Sequence, residues 1–252
     1  MVPDPMSLPA PEHHSFRVPL HCRYLLQAPA EGTASILAVA THGYGMNAAA
    51  MLQLTHRLLG ADVLLASVEA PNQFYLKMQS PTESETGYNW GTRPHWQSAV
   101  SLHHEMLRTV LADCRGRFRI APSRCLLVGF SQPVGLNYRF AATHPDEVSG
   151  VIGICGGIPR DWEQDARYGR VRASILHIAR DEDEYYPASQ TSLFAERLRN
   201  RAADVEFHML PGAHRFPSQA SKVVQPWMER VFAAPGDQGS SQRAPSSSRT
   251  AT

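Results

Sequence analysis

The stretch that most restricts the fold is Leu126-Leu127-Val128-Gly129-Phe130-Ser131-Gln132-Pro133-Val134-Gly135. An apolar run of strand length passes, with no loop between, into a helical pattern over Val134–His144. A run that is apolar at every position fits a strand covered on both faces, as in a parallel sheet sandwiched by helices. Turning from strand to helix so abruptly holds Ser131 in a strained backbone conformation with its hydroxyl exposed. It also demands a very small residue two positions earlier, which Gly129 supplies. The following helix N-terminus favours negative charge beside that hydroxyl, and the Gln132 backbone N–H is a candidate donor to a developing oxyanion. Pro133 suits the first turn of a helix, yet it restricts the backbone of Gln132.

The same alternation recurs along the chain. Strands are expected at Ser35–Thr41, Val63–Val68, Arg124–Gly129, Val148–Cys155, Ser174–Ile178 and Val205–Leu210. Helices are expected at Ala48–Leu59, Trp96–Cys114, Val134–His144, Ala188–Arg201 and Gln219–Ala233. This pattern predicts an α/β fold with a mostly parallel central sheet and helices on both faces. Arg17–Gln27 is expected to add an antiparallel edge strand or hairpin. A chain of 252 residues fits one such domain, placed at residues 17–233. Residues 1–16 read as a flexible start, and the Ser/Pro/Gly-rich residues 234–252 as a disordered tail. Pro71–Pro94 shows little periodicity and reads as a long loop. The link from Cys155 to Ser174 is too short for a large cap domain.

Formal net charge is +1, so no global field draws the chain to nucleic acid or an anionic membrane. Cys22, Cys114, Cys125 and Cys155 show neither paired nor metal-ligand spacing, and buried free thiols are expected for Cys125 and Cys155. There is no signal-peptide pattern and no apolar run approaching the roughly 18 residues of a membrane span. The expectation is a reduced, soluble, cytoplasmic protein without metal or cofactor. Oligomeric state is not readable.

Three more segments end strands in chemically suggestive residues. His42-Gly43-Tyr44-Gly45 follows the first parallel-strand candidate, and its glycine-rich backbone makes the Tyr44 N–H a second oxyanion donor, with His42 structural. His177-Ile178-Ala179-Arg180-Asp181-Glu182-Asp183-Glu184-Tyr185-Tyr186-Pro187 runs from a strand into a cluster of acids. Either Asp181 or Asp183 could accept the Nδ1–H of a histidine there. Pro211-Gly212-Ala213-His214 places a histidine on a tight turn after the last strand, downstream of both the serine and the acids.

With these residues in order, the chain resembles the phospholipase/carboxylesterase branch of the α/β-hydrolases, which includes acyl-protein thioesterases. Gly129-Phe130-Ser131-Gln132 is similar to the family's nucleophile segment, and His42-Gly43-Tyr44-Gly45 to its oxyanion loop. Asp183-Glu184-Tyr185-Tyr186-Pro187 fits the family's acid segment, so the resemblance favours Asp183 over Asp181. Pro-Gly-Ala-His214 matches the histidine turn. The similarity spans about residues 20–232. Pro133 departs from the family's glycine, and Ile178 stands where many relatives have glycine.

The resemblance implies an α/β-hydrolase fold and a serine hydrolase with Ser131 as nucleophile, His214 as base and Asp183 as orienting acid. Its partner would be a small to medium acyl ester or thioester. Phe74, Tyr75, Tyr88, Trp90 and Trp162 are candidates to line an acyl pocket, the competing role being ordinary packing. Two other readings share the residues. One is a weak or non-catalytic binding protein, motivated by Pro133; the other is an acyltransferase, in which an acceptor other than water resolves the acyl-enzyme.

Overall fold

The computed structural model describes residues 11–29, 34–80 and 83–233. The expected tail at 234–252 and most of the expected flexible start lie outside the described residues. Residues 11–16 are irregular and exposed.

Along the chain run β1 (Tyr24–Gln27), β2 (Leu37–Thr41), α1 (Ala48–Leu59), β3 (Leu64–Val68), β4 (Asn72–Ser80), β5 (Glu83–Asn89) and α2 (Trp96–Phe118). There follow β6 (Cys125–Phe130), α3 (Val134–Thr143), β7 (Gly150–Ile154), β8 (Ser174–Arg180), α4 (Ala188–Thr191), α5 (Phe194–Arg199), β9 (Val205–Leu210) and α6 (Ser221–Phe232). Among the described residues, seven strands form one sheet in the order β1-β3-β2-β6-β7-β8-β9. All neighbours are parallel except β1, the expected antiparallel edge strand, which pairs with β3.

The register explains why these strands are apolar throughout. Val39, Leu127, Val151 and Ile175 lie in one row across the sheet. They pack on one face with Leu107 and Leu111 of α2, Phe140 of α3 and Leu198 of α5. The adjacent row, Ala40, Val128, Ile152 and Leu176, packs on the opposite face with Met51 of α1 and Val224 and Trp227 of α6. Alternate residues of each strand thus enter different cores, and neither face is left to water. No large cap interrupts this plan, and among the described residues no helix is long and apolar enough to cross a membrane.

Two expectations are corrected. Residues 72–80 and 83–89 are not a loop: β4 and β5 pair as an antiparallel hairpin outside the main sheet. Its register shifts between Tyr75 and Lys77 and again between Met78 and Ser80, and such irregularities erase the two-residue period by which a strand is read. The expected helix Ala188–Arg201 is two short helices, Ala188–Thr191 and Phe194–Arg199, interrupted at Ser192 and Leu193, for which the structure gives no side-chain cause.

His103 and His177 are buried in the core, and His104 is partly buried beside His103. Burial lowers His177 to about 3 and His103 well below its ordinary 6.5, and burial together with neighbouring His144 lowers His104 to about 4. All three are neutral in the fold but take up protons in the unfolded chain below pH 6.5. Their contribution to stability is therefore complete above pH 6.5 and is lost as pH falls towards 4. Each adds a slope of up to about 1.4 kcal/mol per pH unit in that window. Urea midpoints measured from pH 7.5 to 4.5 should fall steeply below 6.5. A flat profile would mean that these histidines carry protons in the folded protein.

Candidate active site

Because β2, β6, β8 and β9 run parallel, the segments that follow them emerge at one edge of the sheet, where open α/β folds bind ligands. Tyr44 follows β2, Ser131 follows β6, Asp183 follows β8 and His214 follows β9.

Ser131 sits at the strand-to-helix turn with φ +63°, in the left-handed region. Its backbone is fixed by Ser131 N–H donating to Ile154 O at 2.8 Å and by Val134 N–H donating to Ser131 O at 3.2 Å. Two glycines permit the turn. A Cβ on Gly129 would lie 2.6 Å from Asn137 Nδ2, and one on Gly156 would lie 2.3 Å from Val134 Cβ. Pro133 has φ −79° and ψ −6°, ordinary values for entering a helix, and accepts Asn137 N–H at 2.8 Å. Pro133 itself thus enters the helix without strain.

The structure brings Ser131, His214 and Asp183 into one hydrogen-bonded line. Ser131 Oγ is 2.8 Å from His214 Nε2, and His214 Nδ1 is 2.8 Å from Asp183 Oδ2. Asp183 is 3% exposed, and its other oxygen accepts the backbone N–H groups of Tyr185 and Tyr186 at 2.9 and 2.8 Å. Asp181 points elsewhere: it is exposed and accepts Gly212 N–H at 2.7 Å. The acid and histidine segments are further tied together, Glu182 N–H donating to Gly212 O and His214 N–H to Glu184 Oε2. That N–H, after Glu184's own, holds the Glu184 carboxyl below its ordinary value.

Aromatic rings fix the imidazole plane. Phe130 stacks on His214 with centroids 5.4 Å apart, and Tyr185 meets it edge-on at 4.9 Å. Cys155, the buried free thiol at the end of β7, is pushed up to about 12 by burial and then by the Asp183 charge, which leaves it a neutral packing group.

The Tyr44 and Gln132 amides donate no hydrogen bond to another group among the described residues. Their loops are held by the end of the hairpin. Gly45 N–H donates to Tyr88 O and Tyr88 N–H to Met46 O, while the Trp90 indole N–H donates to His42 O at 2.8 Å. From the other side, Gln132 Oε1 accepts Trp90 N–H at 3.0 Å and Gln132 Nε2 donates to Gly91 O at 2.9 Å. Tyr88–Gly91 therefore braces both candidate donor segments. His42 is structural, as expected, its Nε2 accepting Ala70 N–H at 3.0 Å.

Two of the aromatic residues expected to line a pocket are corrected to packing roles. Trp90 and Trp162 are fully buried, with their indole N–H groups satisfied by His42 O and Arg197 O. Tyr88 packs at the edge of the core, and Phe74 lies against Tyr44 at 5.0 Å, with Tyr75 exposed on the hairpin. The cleft that opens at Gln132, the residue after Ser131, is built from other residues. It encloses about 730 Å³ next to Gln132 and is lined by Arg93, Trp96, Leu136, Ile158, Arg160 and Tyr186 among others. A volume in this range suits a small ligand. These residues come from separate loops and carry no shared sequence signal.

The phospholipase/carboxylesterase family model matches residues 29–231. The chain belongs to the phospholipase/carboxylesterase family. Its seven-stranded, mostly parallel sheet is accordingly that of an α/β-hydrolase. The NocK protein of Nocardia uniformis subsp. tsuyamanensis is 29% identical over 163 residues, covering 64% of this chain and 43% of NocK. The chain thus spans less than half the length of that relative. Among solved structures, esterase PE8 superposes with a TM-score of 0.67 at 20% identity, over 84% of this chain and 100% of that one. Acyl-protein thioesterase 2 of Zea mays superposes with a TM-score of 0.65 at 16% identity, over 84% and 100%. At these identities the superpositions establish a shared fold.

Proposed function

We propose that this protein is a serine carboxylic-ester hydrolase acting through an acyl-enzyme on Ser131. The observation that carries the reading is the unbroken line Ser131 Oγ–His214 Nε2 and His214 Nδ1–Asp183 Oδ2, both at 2.8 Å, on a serine with φ +63°. His214 Nε2 removes the Ser131 proton as Oγ attacks the carbonyl carbon of an ester or thioester. Asp183 accepts the Nδ1–H, fixes the tautomer that leaves Nε2 free to act as base, and stabilises the imidazolium. Backbone N–H groups of Tyr44 and Gln132 hold the tetrahedral oxyanion, each worth about 10²–10³ in rate. His214 then protonates the leaving alcohol or thiol, and water repeats the sequence to release the acid. No metal or cofactor is required. The four unpaired cysteines fit a reducing, cytoplasmic setting.

Incubation with a fluorophosphonate probe, read by intact mass, tests the site directly. One adduct is expected on the wild type, none on Ser131→Ala, and much slower labelling on His214→Ala. A folded wild type that takes no adduct would give the lead to a non-catalytic binding role. Pro133, which motivated that role, is expected to matter for stability alone. Pro133→Gly should lose about 0.4–1 kcal/mol by freeing the unfolded chain, with ester turnover like that of the wild type. A large change in turnover would show that the ring shapes the Gln132 donor.

A further inference from the structure

The cleft that opens at Gln132, the residue after Ser131, carries charge that ester hydrolysis itself does not call for; Ser131 and His214 stand at its end and do not line it. Three arginines line it, Arg93, Arg139 and Arg160, against one acid, Asp161. Arg139 is already engaged. Its guanidinium forks onto both Asp161 oxygens, with Nη2–Oδ1 at 2.8 Å and Nη1–Oδ2 at 2.9 Å, and it also donates to the Tyr168 hydroxyl. Arg93 and Arg160 are different. Both are exposed, and among the described residues neither forms an ion pair or a side-chain hydrogen bond. They belong to separate segments, the loop before α2 and the stretch after β7, and they share the wall of one cleft.

The remaining wall is largely apolar, with Trp96, Leu136 and Ile158 beside them. Low-dielectric walls concentrate the field of charges of one sign and raise the local concentration of a counter-charged substrate. The nearby acids do not cancel that field from within the cleft. Asp181 and Glu184 are turned to the backbone N–H groups of Gly212 and His214, and neither they nor Glu182 line it. Guanidinium groups present paired N–H donors in a plane, the geometry that a carboxylate or phosphate accepts.

We propose that the substrate is an anionic ester or thioester: its carbonyl lies at Ser131 while a carboxylate or phosphate-type group is held by Arg93 and Arg160. The inference rests on the serine-hydrolase reading and names the substrate class for that same site.

Three phenyl esters that differ only at the acyl terminus test it: phenyl valerate, monophenyl glutarate and phenyl 4-phosphonobutanoate. The pair 4-acetoxybenzoate and methyl 4-acetoxybenzoate asks the same of the leaving group. In the wild type, kcat/KM should favour an anionic ester over its neutral partner, with the preference shrinking as ionic strength rises. The variant Arg93→Gln/Arg160→Gln should lower the anionic-to-neutral ratio about tenfold or more, as for lost hydrogen bonds to a charged group. The larger change is expected in KM. Whether glutarate or phosphonobutanoate gains more separates carboxylate from phosphate recognition.

A wild type that hydrolyses the neutral esters best, or a ratio that the double variant leaves unmoved, overturns the anion site and leaves the hydrolase reading standing. If no ester is turned over and no fluorophosphonate adduct forms, the hydrolase reading fails. Calorimetric binding of monophenyl glutarate and phenyl 4-phosphonobutanoate to Ser131→Ala then decides the anion site alone. Binding that disappears with the arginines supports it, and absent or arginine-independent binding overturns it.

Discussion

Ser131→Gly should be as inactive as Ser131→Ala, about 10⁴–10⁶-fold below the wild type, and yet melt at a higher temperature than that variant. Both substitutions remove the hydroxyl that lies 2.8 Å from His214 Nε2, so both lose the nucleophile and the same hydrogen bond. They differ in the backbone. At φ +63° a Cβ is crowded by the neighbouring peptide, which costs roughly 1–2 kcal/mol for any residue except glycine. Glycine removes that strain but is freer in the unfolded chain, so the net advantage over alanine is about 1 kcal/mol. For a chain of this size that is about 2–4 °C in the midpoint. The comparison asks whether the turn stores strain in order to present the serine. Equal midpoints would deny the strain, and appreciable turnover in either variant would remove Ser131 from the mechanism.

The parts of this molecule that could be read from its residues are those whose environment is uniform. β2, β3, β6, β7 and β8 are covered on both faces, so burial alone makes their sequences continuous apolar runs. The Ser131 turn was legible for the same local reason, since the space that Gly129 leaves is filled by Asn137 three residues into α3. The hairpin was not legible. Its two strands pair with each other through a shifted register, and the buried positions of β5, Gly87 and Asn89, are not apolar, so no hydrophobic period marks it.

Trp90 shows a different limit. An aromatic residue in a polar segment looks the same in sequence whether it faces a ligand or the interior. What decides is a hydrogen bond to His42, 48 residues away in the chain. The cleft was further out of reach because its wall joins the residues around Arg93, Gln132, Ile158 and Tyr186, which only the folded chain brings together. The choice between Asp183 and Asp181 lay in between. Both follow the same strand, and the spacing alone admitted either.

Asp183→Asn is the experiment for that choice, and its loss should be near 10⁴-fold in kcat/KM. The carboxylate has acceptors on both sides: Oδ2 faces His214 Nδ1, and Oδ1 faces the N–H groups of Tyr185 and Tyr186. Asparagine can serve only one side. If its carbonyl keeps the two backbone donors, its NH₂ faces Nδ1 and forces the imidazole proton onto Nε2, where it can no longer take a proton from Ser131. If the carbonyl turns to His214 instead, the NH₂ is set against two backbone donors in a site that is almost wholly buried. The first arrangement costs less, so the protein should fold normally with the wrong tautomer in place. Fluorophosphonate labelling should slow along with turnover. Asp181→Asn should behave like the wild type, because its amide oxygen can still accept Gly212 N–H from an exposed position. A severe loss in Asp181→Asn with an active Asp183→Asn would transfer the orienting role. Full activity in both would mean that His214 is oriented without a carboxylate.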